Sequence, residues 1–571
     1  MSNLPTFAPP AAPRRPALIL IILLAVFGVG LIGAGSVALA WSLINQRANS
    51  IPQLLGADTQ IYAAITPNLR DLPNIERLRR AFPEAVDYET DPATGDQLRE
   101  LLGVEMQQDV MPWLGAEVAF AASGLPVADL AVIGAEFENL NDLEGARLSF
   151  ILASRDRDAA LAFLAKQRAH REAQGEQFVE QQIEAVTIVA SQSAERSPIS
   201  AFALVGEYVV FASDADTIAA IVARDSDGPD TLQASSRFQA LQAVLPEDRM
   251  GYVYLDGVLL RDLVEAGGAQ AATSLGEQPQ GLNDTLAVAN AVHGLGFVIA
   301  AVDVGLRFDA VAAIDVAALP ANLQASLAEM RLPVSAERSG AVGAAAIGTL
   351  SFRIPPSFAD QIQAAIAEVP AAAEQVAEYE QMLGLNLEQD LLNWFHGEAV
   401  LTVTAETGEV PVGGYFALAP DDPQAAQSGV GRIITALEEL AGGDLGLSEA
   451  TYGNGSYQVL ELPEGVGGYG FVGNDLVIGF GANALAAASG SGANLSEQRA
   501  YQAAVGGLPS PNGGVLFIDL PAVRTLARDL DELDAEVEAR LEPFRAIAAA
   551  ATPGISDSGT TRATLLVLIG E

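Results

Sequence analysis

Residues 102–117 read LGVEMQQDVMPWLGAE, and residues 383–398 read LGLNLEQDLLNWFHGE. The two segments align without a gap at a spacing of 281 residues. Leu102, Gly103, Gln108, Asp109, Trp113 and Glu117 return as Leu383, Gly384, Gln389, Asp390, Trp394 and Glu398. Of the three tryptophans, the two beyond Trp41 stand at the same place in the two copies. Downstream, FALVGEYVVFA (202–212) is answered by YGFVGNDLVIG (469–479), and GYVYLD (251–256) by GVLFID (514–519). Blocks repeated in one order predict an internal duplication. The expected organisation is a first lobe over 50–318, a connector over 319–337 and a second lobe over 338–571.

Within the first lobe, short apolar runs at 61–66, 117–123, 146–154, 186–191 and 199–205 predict strands. Residues 294–316 predict two long strands turning near Gly305. Apolar positions spaced at 3.6 residues predict helices over 70–82, 96–103, 157–173, 214–225 and 235–245. In the second lobe, 526–544 predicts an acidic amphipathic helix with its leucines on the core. Strands arrive in runs rather than alternating one for one with helices. That pattern predicts an α+β fold, two homologous lobes rich in antiparallel sheet with covering helices.

Ahead of the repeat, residues 17–44 contain no charged side chain. A bilayer core needs about 20 apolar residues in a helix, so this segment predicts a transmembrane anchor and a lipid bilayer as partner. Arg14 and Arg15 precede it, and the Pro-rich tail 1–16 holds no acid. The positive-inside rule then predicts a cytoplasmic N-terminus and a single-pass protein with its bulk outside the cytoplasmic membrane. Ala38-Leu39-Ala40 fits a leader-peptidase pattern, so a secreted form cleaved after Ala40 is the alternative. Gly28, Gly30 and Gly33 spell G-x-G-x-x-G, but no strand-turn-helix context surrounds them, so no dinucleotide cofactor is expected.

The 571 residues carry 72 acids against 30 bases, a formal charge of −42, and the first acid is Asp58. Nucleic acid is therefore excluded as a partner, since phosphates require clustered cations. Cysteine is absent, which removes disulfides, thiolate metal sites and cysteine nucleophiles. The three histidines, His170, His293 and His396, show no metal-ligand spacing. Neither G-x-S-x-G, a phosphate loop nor H-E-x-x-H occurs, and no cofactor, metal or catalytic residue is assigned.

The sharpest candidates are the repeated positions. Trp113 with Glu117, and Trp394 with Glu398, read either as a stacking platform beside a carboxylate or as core tryptophans before a strand. Asp109 and Asp390, and likewise Asp256 and Asp519, read as helix caps. His396 aligns with Gly115 and so belongs to one copy alone. Asp225, Asp227 and Asp230 match only part of a calcium loop and read as an acidic surface loop.

The anchor, IPQLLGADTQIYAAI (51–65) and LLG…QDVMPWLGAEVAFA (101–121) together resemble a bacterial membrane-anchored family known as domain of unknown function thirty-three fifty-two. The resemblance implies the architecture and carries no reaction, cofactor or functional residue. The expectation is a membrane-tethered envelope protein that binds or scaffolds through its two lobes, with a small-molecule, lipid or envelope-protein ligand. The alternatives are a hydrolase using carboxylates and His396, and an oligomeric structural subunit.

Overall fold

The computed structural model describes residues 51–66, 74–82, 104–127, 145–193, 200–224, 228–246, 249–275, 282–368, 370–407, 410–463, 465–490, 492–530 and 533–570. The anchor 17–44, the tail 1–16, the helix expected at 96–103 and Asp225–Asp227 of the acidic loop lie outside these. Among the described residues no helix is long and apolar enough to cross a membrane.

Twenty strands are described, and each joins its neighbours antiparallel. The first ten are β1 (Ile61–Ile65), β2 (Leu114–Ser123), β3 (Arg147–Ser154), β4 (Phe178–Ile183), β5 (Val186–Ser191), β6 (Ala201–Val205), β7 (Tyr208–Ala212), β8 (Gly251–Asp256), β9 (Val292–Val302) and β10 (Gly305–Ile314). The second ten are β11 (Ala346–Ile354), β12 (Gly397–Ala405), β13 (Val412–Pro420), β14 (Ser448–Tyr452), β15 (Gly455–Leu462), β16 (Gly465–Val472), β17 (Asp475–Phe480), β18 (Val515–Asp519), β19 (Phe544–Ala551) and β20 (Thr560–Ile569). The first set pairs in the order β4-β5-β6-β7-β3-β2-β1-β8-β9-β10. The second pairs as β14-β15-β16-β17-β13-β12-β11-β18-β19-β20, the same order.

β10 pairs with β20 and makes the two sets one continuous sheet. In that ladder Asp309 faces Thr564, Gly305 faces Leu568 and Ala313 faces Thr560. Asp309 stands opposite Val298 and, through it, Tyr252; Thr564 stands opposite Ala550 and, through it, Val515. Asp309 and Thr564 are therefore counterparts that meet each other, and the ladder maps onto itself about this pair.

The core lies on both faces of the sheet. In the first half, helices Ala215–Val222 and Ser236–Gln242 cover one face through Ile218, Ile221, Phe238 and Leu241. Helix Arg157–Ala173 covers the other through Phe163 and Leu164. The second half repeats this. Helices Ala482–Ala488 and Arg499–Gly506 supply Leu485 and Tyr501 to one face, and helix Pro423–Ala441 supplies Ala426 to the other. Strands of period two explain the partition: β8 turns Tyr252, Tyr254 and Asp256 inward and alternates with less buried neighbours. Asp156 and Asp422 cap the two long helices, each accepting two first-turn N–H groups.

The α+β class and the two strands turning near Gly305 are as the pattern predicts. The region 526–544 differs. Helix Leu520–Asp529 is followed by helix Ala535–Leu541, and β19 starts at Phe544. Leu530, Val537 and Leu541 are exposed rather than seated on a core. A new N-cap explains the break: Asp534 accepts the N–H groups of Glu536 and Val537 and starts a separate helix. The expected connector 319–337 contains helix Ala321–Glu329, held by Leu319, Leu323 and Leu327 on an apolar cluster.

Candidate functional site

Each conserved-spacing tryptophan follows a single wide helical turn, Met106–Val110 in one half and Glu388–Leu392 in the other. Trp113 is 1% exposed and Trp394 2%, so neither ring is open to a ligand. Their indole N–H groups donate to the Asp109 and Asp390 carbonyls at 2.6 and 2.7 Å. Trp113 lies against Phe163, with ring centroids 4.9 Å apart. The position of Phe163 in the second helix is Gly429, where an added Cβ would meet Trp394 Nε1 at 2.2 Å. One half fills the space beside the indole with a ring and the other with close-packed backbone.

The Asp109 and Asp390 carboxylates reach back over the turn. They accept the N–H of Glu105 and of Asn386, each at 2.7 Å. This is the back-reaching half of a capping arrangement, instead of the forward cap expected from sequence. Each also binds a cation on the long helix, Lys166 Nζ at 2.5 Å and Arg432 Nε at 2.6 Å. At Asp109, burial opposes the charge, but the Glu105 N–H and the Lys166 ammonium outweigh it and hold the carboxyl below its ordinary value. At Asp390 the Asn386 N–H and Arg432 do the same against burial.

A folded-state value below the unfolded one means the stabilisation is complete above the unfolded pKa and is lost as pH falls through the folded one. Asp390→Asn is therefore expected to lower the melting temperature near neutral pH. The gap should close below the folded pKa; an equal gap at both pH values would remove the charge from the explanation.

Glu117 is buried and accepts the Tyr62 hydroxyl at 2.7 Å. Burial, reinforced by the Glu117 charge, pushes the Tyr62 hydroxyl well above its ordinary value. Glu398, its counterpart, instead accepts Arg338 Nε at 3.1 Å and the Ser335 N–H at 3.2 Å. Asp256 accepts the Val258 N–H and the Tyr254 hydroxyl, each at 2.8 Å, and Asp519 accepts the Ala522 N–H at 2.9 Å. The eight repeated positions are thus placed in two structurally similar halves, and they do not converge on one cleft.

His396 lies 3.0 Å from Asp421 Oδ2 through Nδ1 and 3.1 Å from the Asn393 carbonyl through Nε2. Both ring nitrogens face acceptors, which leaves no lone pair turned toward a nucleophile. Among the described residues no three His, Asp or Glu side chains gather to hold a metal ion.

The surface feature that sequence reasoning missed is an apolar row on the second half. Leu516, Leu350, Leu401, Phe416, Ile478 and Tyr469 stand directly opposite one another across β18, β11, β12, β13, β17 and β16. Directly paired residues share a face. Leu401 is 47% exposed and Ile478 49%. On the first half the corresponding face carries Phe120 against Phe150 at 5.0 Å, packed beside Ala122, Leu125, Leu148 and Leu259. Leu259 comes from helix Gly257–Leu275; its counterpart Leu520–Asp529 is shorter and has no buried residue. Alternation along β12 was legible in the sequence, but the shortening of the helix that covers its first-half counterpart was not.

The described residues form an α+β fold on a single antiparallel sheet, with repeated packing motifs and an exposed apolar row. The family described as Protein of unknown function (DUF3352) matches residues 17–569, and the chain belongs to it. Among curated proteins none matches the chain. A solved chain described as "Structure of crystal form I of TP0453" aligns over 46% of this chain and 77% of its own length, at 7% identity and a TM-score of 0.21.

Proposed function

We propose that this protein is a non-enzymatic binding protein, held outside the cytoplasmic membrane by the anchor 17–44 with its N-terminus inside. In this reading a head-to-tail duplication produced the lobes 50–318 and 338–571. The repeated strand order and the self-matching β10–β20 ladder support the duplication. The observation that carries the binding role is the row through Leu350, Leu401 and Ile478, exposed among the described residues. Contiguous exposed apolar surface marks an interaction site more often than a neutral exterior. The 72 acids on the remainder of the chain keep such a face soluble and away from anionic lipid surfaces.

The test is native mass spectrometry of the full chain purified from its own membranes. An apolar ligand or envelope partner should accompany the parent protein and be lost from the Leu401→Glu, Ile478→Glu double variant. Purification of a bare chain under several conditions, or equal retention by the variant, would count against binding. An alkaline phosphatase fusion at the C-terminus should be active; an inactive but expressed fusion would overturn the topology.

A further inference from the structure

A shallow, half-open groove lies beside helix Ala215–Val222 in the first half, lined by Asp58, Ser123, Arg147, Thr217 and Arg224 over Leu55 and Ile221. Arg147 and Arg224 both line it, the first paired with Asp58 at 2.5 Å and the second with no ion pair among the described residues, within a chain where acids outnumber bases 72 to 30. Thr217 is only 8% exposed, and among the described residues its buried hydroxyl has no hydrogen-bond partner. An unpaired buried hydroxyl costs free energy that an incoming acceptor would recover.

The second half displays what such an acceptor looks like. Thr404 stands 281 residues after Ser123, and Ala484 is the third residue of its helix as Thr217 is of the earlier one. At that place the chain inserts its own Glu406 carboxylate. It accepts the Thr404 hydroxyl at 3.1 Å and the Ala484 and Asn483 N–H groups at 2.8 and 3.0 Å. Gly413 and Gly481 make room, since an added Cβ on either would meet Glu406 at about 2.5 Å. In the first half the residue at the Glu406 position is Leu125, whose N–H is held by Gln60 at 2.7 Å. Arg147 replaces Gly413, adding a cation where the second half already has an anion.

We propose that the first-half groove binds a short aliphatic carboxylate from outside the chain, against the Ser123 and Thr217 hydroxyls that correspond in position to Thr404 and Ala484 around Glu406. The Glu406 side chain is itself a carboxylate on a two-carbon stem, which sets the size. Asp214 already takes the Thr217 N–H at 2.6 Å, so the ligand is held by the Thr217 and Ser123 hydroxyls and the two arginines. Arg224 is positioned by donating to the Leu54 carbonyl at 2.8 Å. Asp58, half-exposed and 2.5 Å from Arg147, is the internal competitor that the ligand displaces.

The experiment is calorimetric titration of the full chain in detergent with propionate, and with propionamide as its uncharged isostere. Propionate should saturate a single site and propionamide should give no heat of binding. Thr217→Val should weaken propionate about tenfold, the loss of one hydrogen bond to a charged group. The same variant should melt no lower than the parent, because it removes a hydroxyl without a partner. Asp58→Asn should tighten binding several-fold. Absence of saturable heat, equal binding of propionamide, or undiminished affinity in both Thr217→Val and Arg147→Gln would overturn the proposal. None of these outcomes bears on the apolar face of the other half, so the two readings stand or fall separately.

Discussion

Asp309→Ala is expected to destabilise the protein by about 3–5 kcal/mol, the cost of removing one partner from a buried charge cluster. Asp309 has no exposed side-chain surface and sits where the two halves of the sheet meet. Its Oδ1 accepts Arg562 Nε at 2.9 Å, Arg562 Nη2 at 2.8 Å and the Thr564 hydroxyl at 2.6 Å, and its Oδ2 accepts Arg307 Nε at 2.9 Å. Arg307 and Arg562 precede the facing pair Asp309 and Thr564 by two residues each, so they are counterparts. One carboxylate therefore neutralises a cation from each half. Truncating it leaves two partly buried guanidinium groups facing each other without a counter-charge.

The damage should be local to the junction, so the halves are expected to lose cooperativity. Urea unfolding followed by tyrosine and tryptophan fluorescence should resolve two transitions in place of one. A single transition within about 1 kcal/mol of the parent, the ordinary yield of an exposed pair, would show the cluster to be dispensable. Arg307→Met should cost less than Asp309→Ala, because Arg562 still pairs with the carboxylate.

Trp394→Ala and Trp113→Ala should each cost about 3–5 kcal/mol through the cavity that a large buried ring leaves behind. Each indole also satisfies the carbonyl of the residue four positions earlier, which closes the wide turn before β2 or β12. Trp→Phe keeps much of the volume and loses that hydrogen bond, so a smaller loss is expected. The two alanine variants should differ in relaxation. Beside Trp113 the Phe163 ring can move into the void, whereas beside Trp394 the Gly429 backbone cannot. The Trp394 variant is thus expected to be the less stable of the pair in chemical denaturation. A loss below about 1 kcal/mol in both would contradict the packing role and reopen the ligand-stacking reading.

The repeated Trp and Asp positions were visible in the sequence because their chemistry is local. A tryptophan that bonds a carbonyl four residues away, and an aspartate that bonds an amide four residues away, need only one turn of chain. The same spacing therefore survives in both copies. Asp256 and Asp519 were legible as caps for the same reason, since each bonds the first turn of the next helix. The forward-capping assignment of Asp109 and Asp390 failed because the direction of a carboxylate depends on a turn whose width no spacing rule specifies. The helix expected at 526–544 failed because an N-cap at Asp534 overrode a continuous amphipathic pattern.

Order, repetition and alternation were thus written in the chain: which blocks recur, which positions alternate along a strand, and where an uncharged segment precedes the first acid. Period-two and period-3.6 patterns report what a residue's own element buries. They carry no information about which strand lies alongside. The joining of β10 to β20, the pairing of Lys166 with Asp109 across 57 residues, the exposed apolar row around Leu401 among the described residues and the groove beside Thr217 all arise between elements distant in sequence. Those contacts are selected by packing complementarity and long-range charge, which exist only once the sheet has closed.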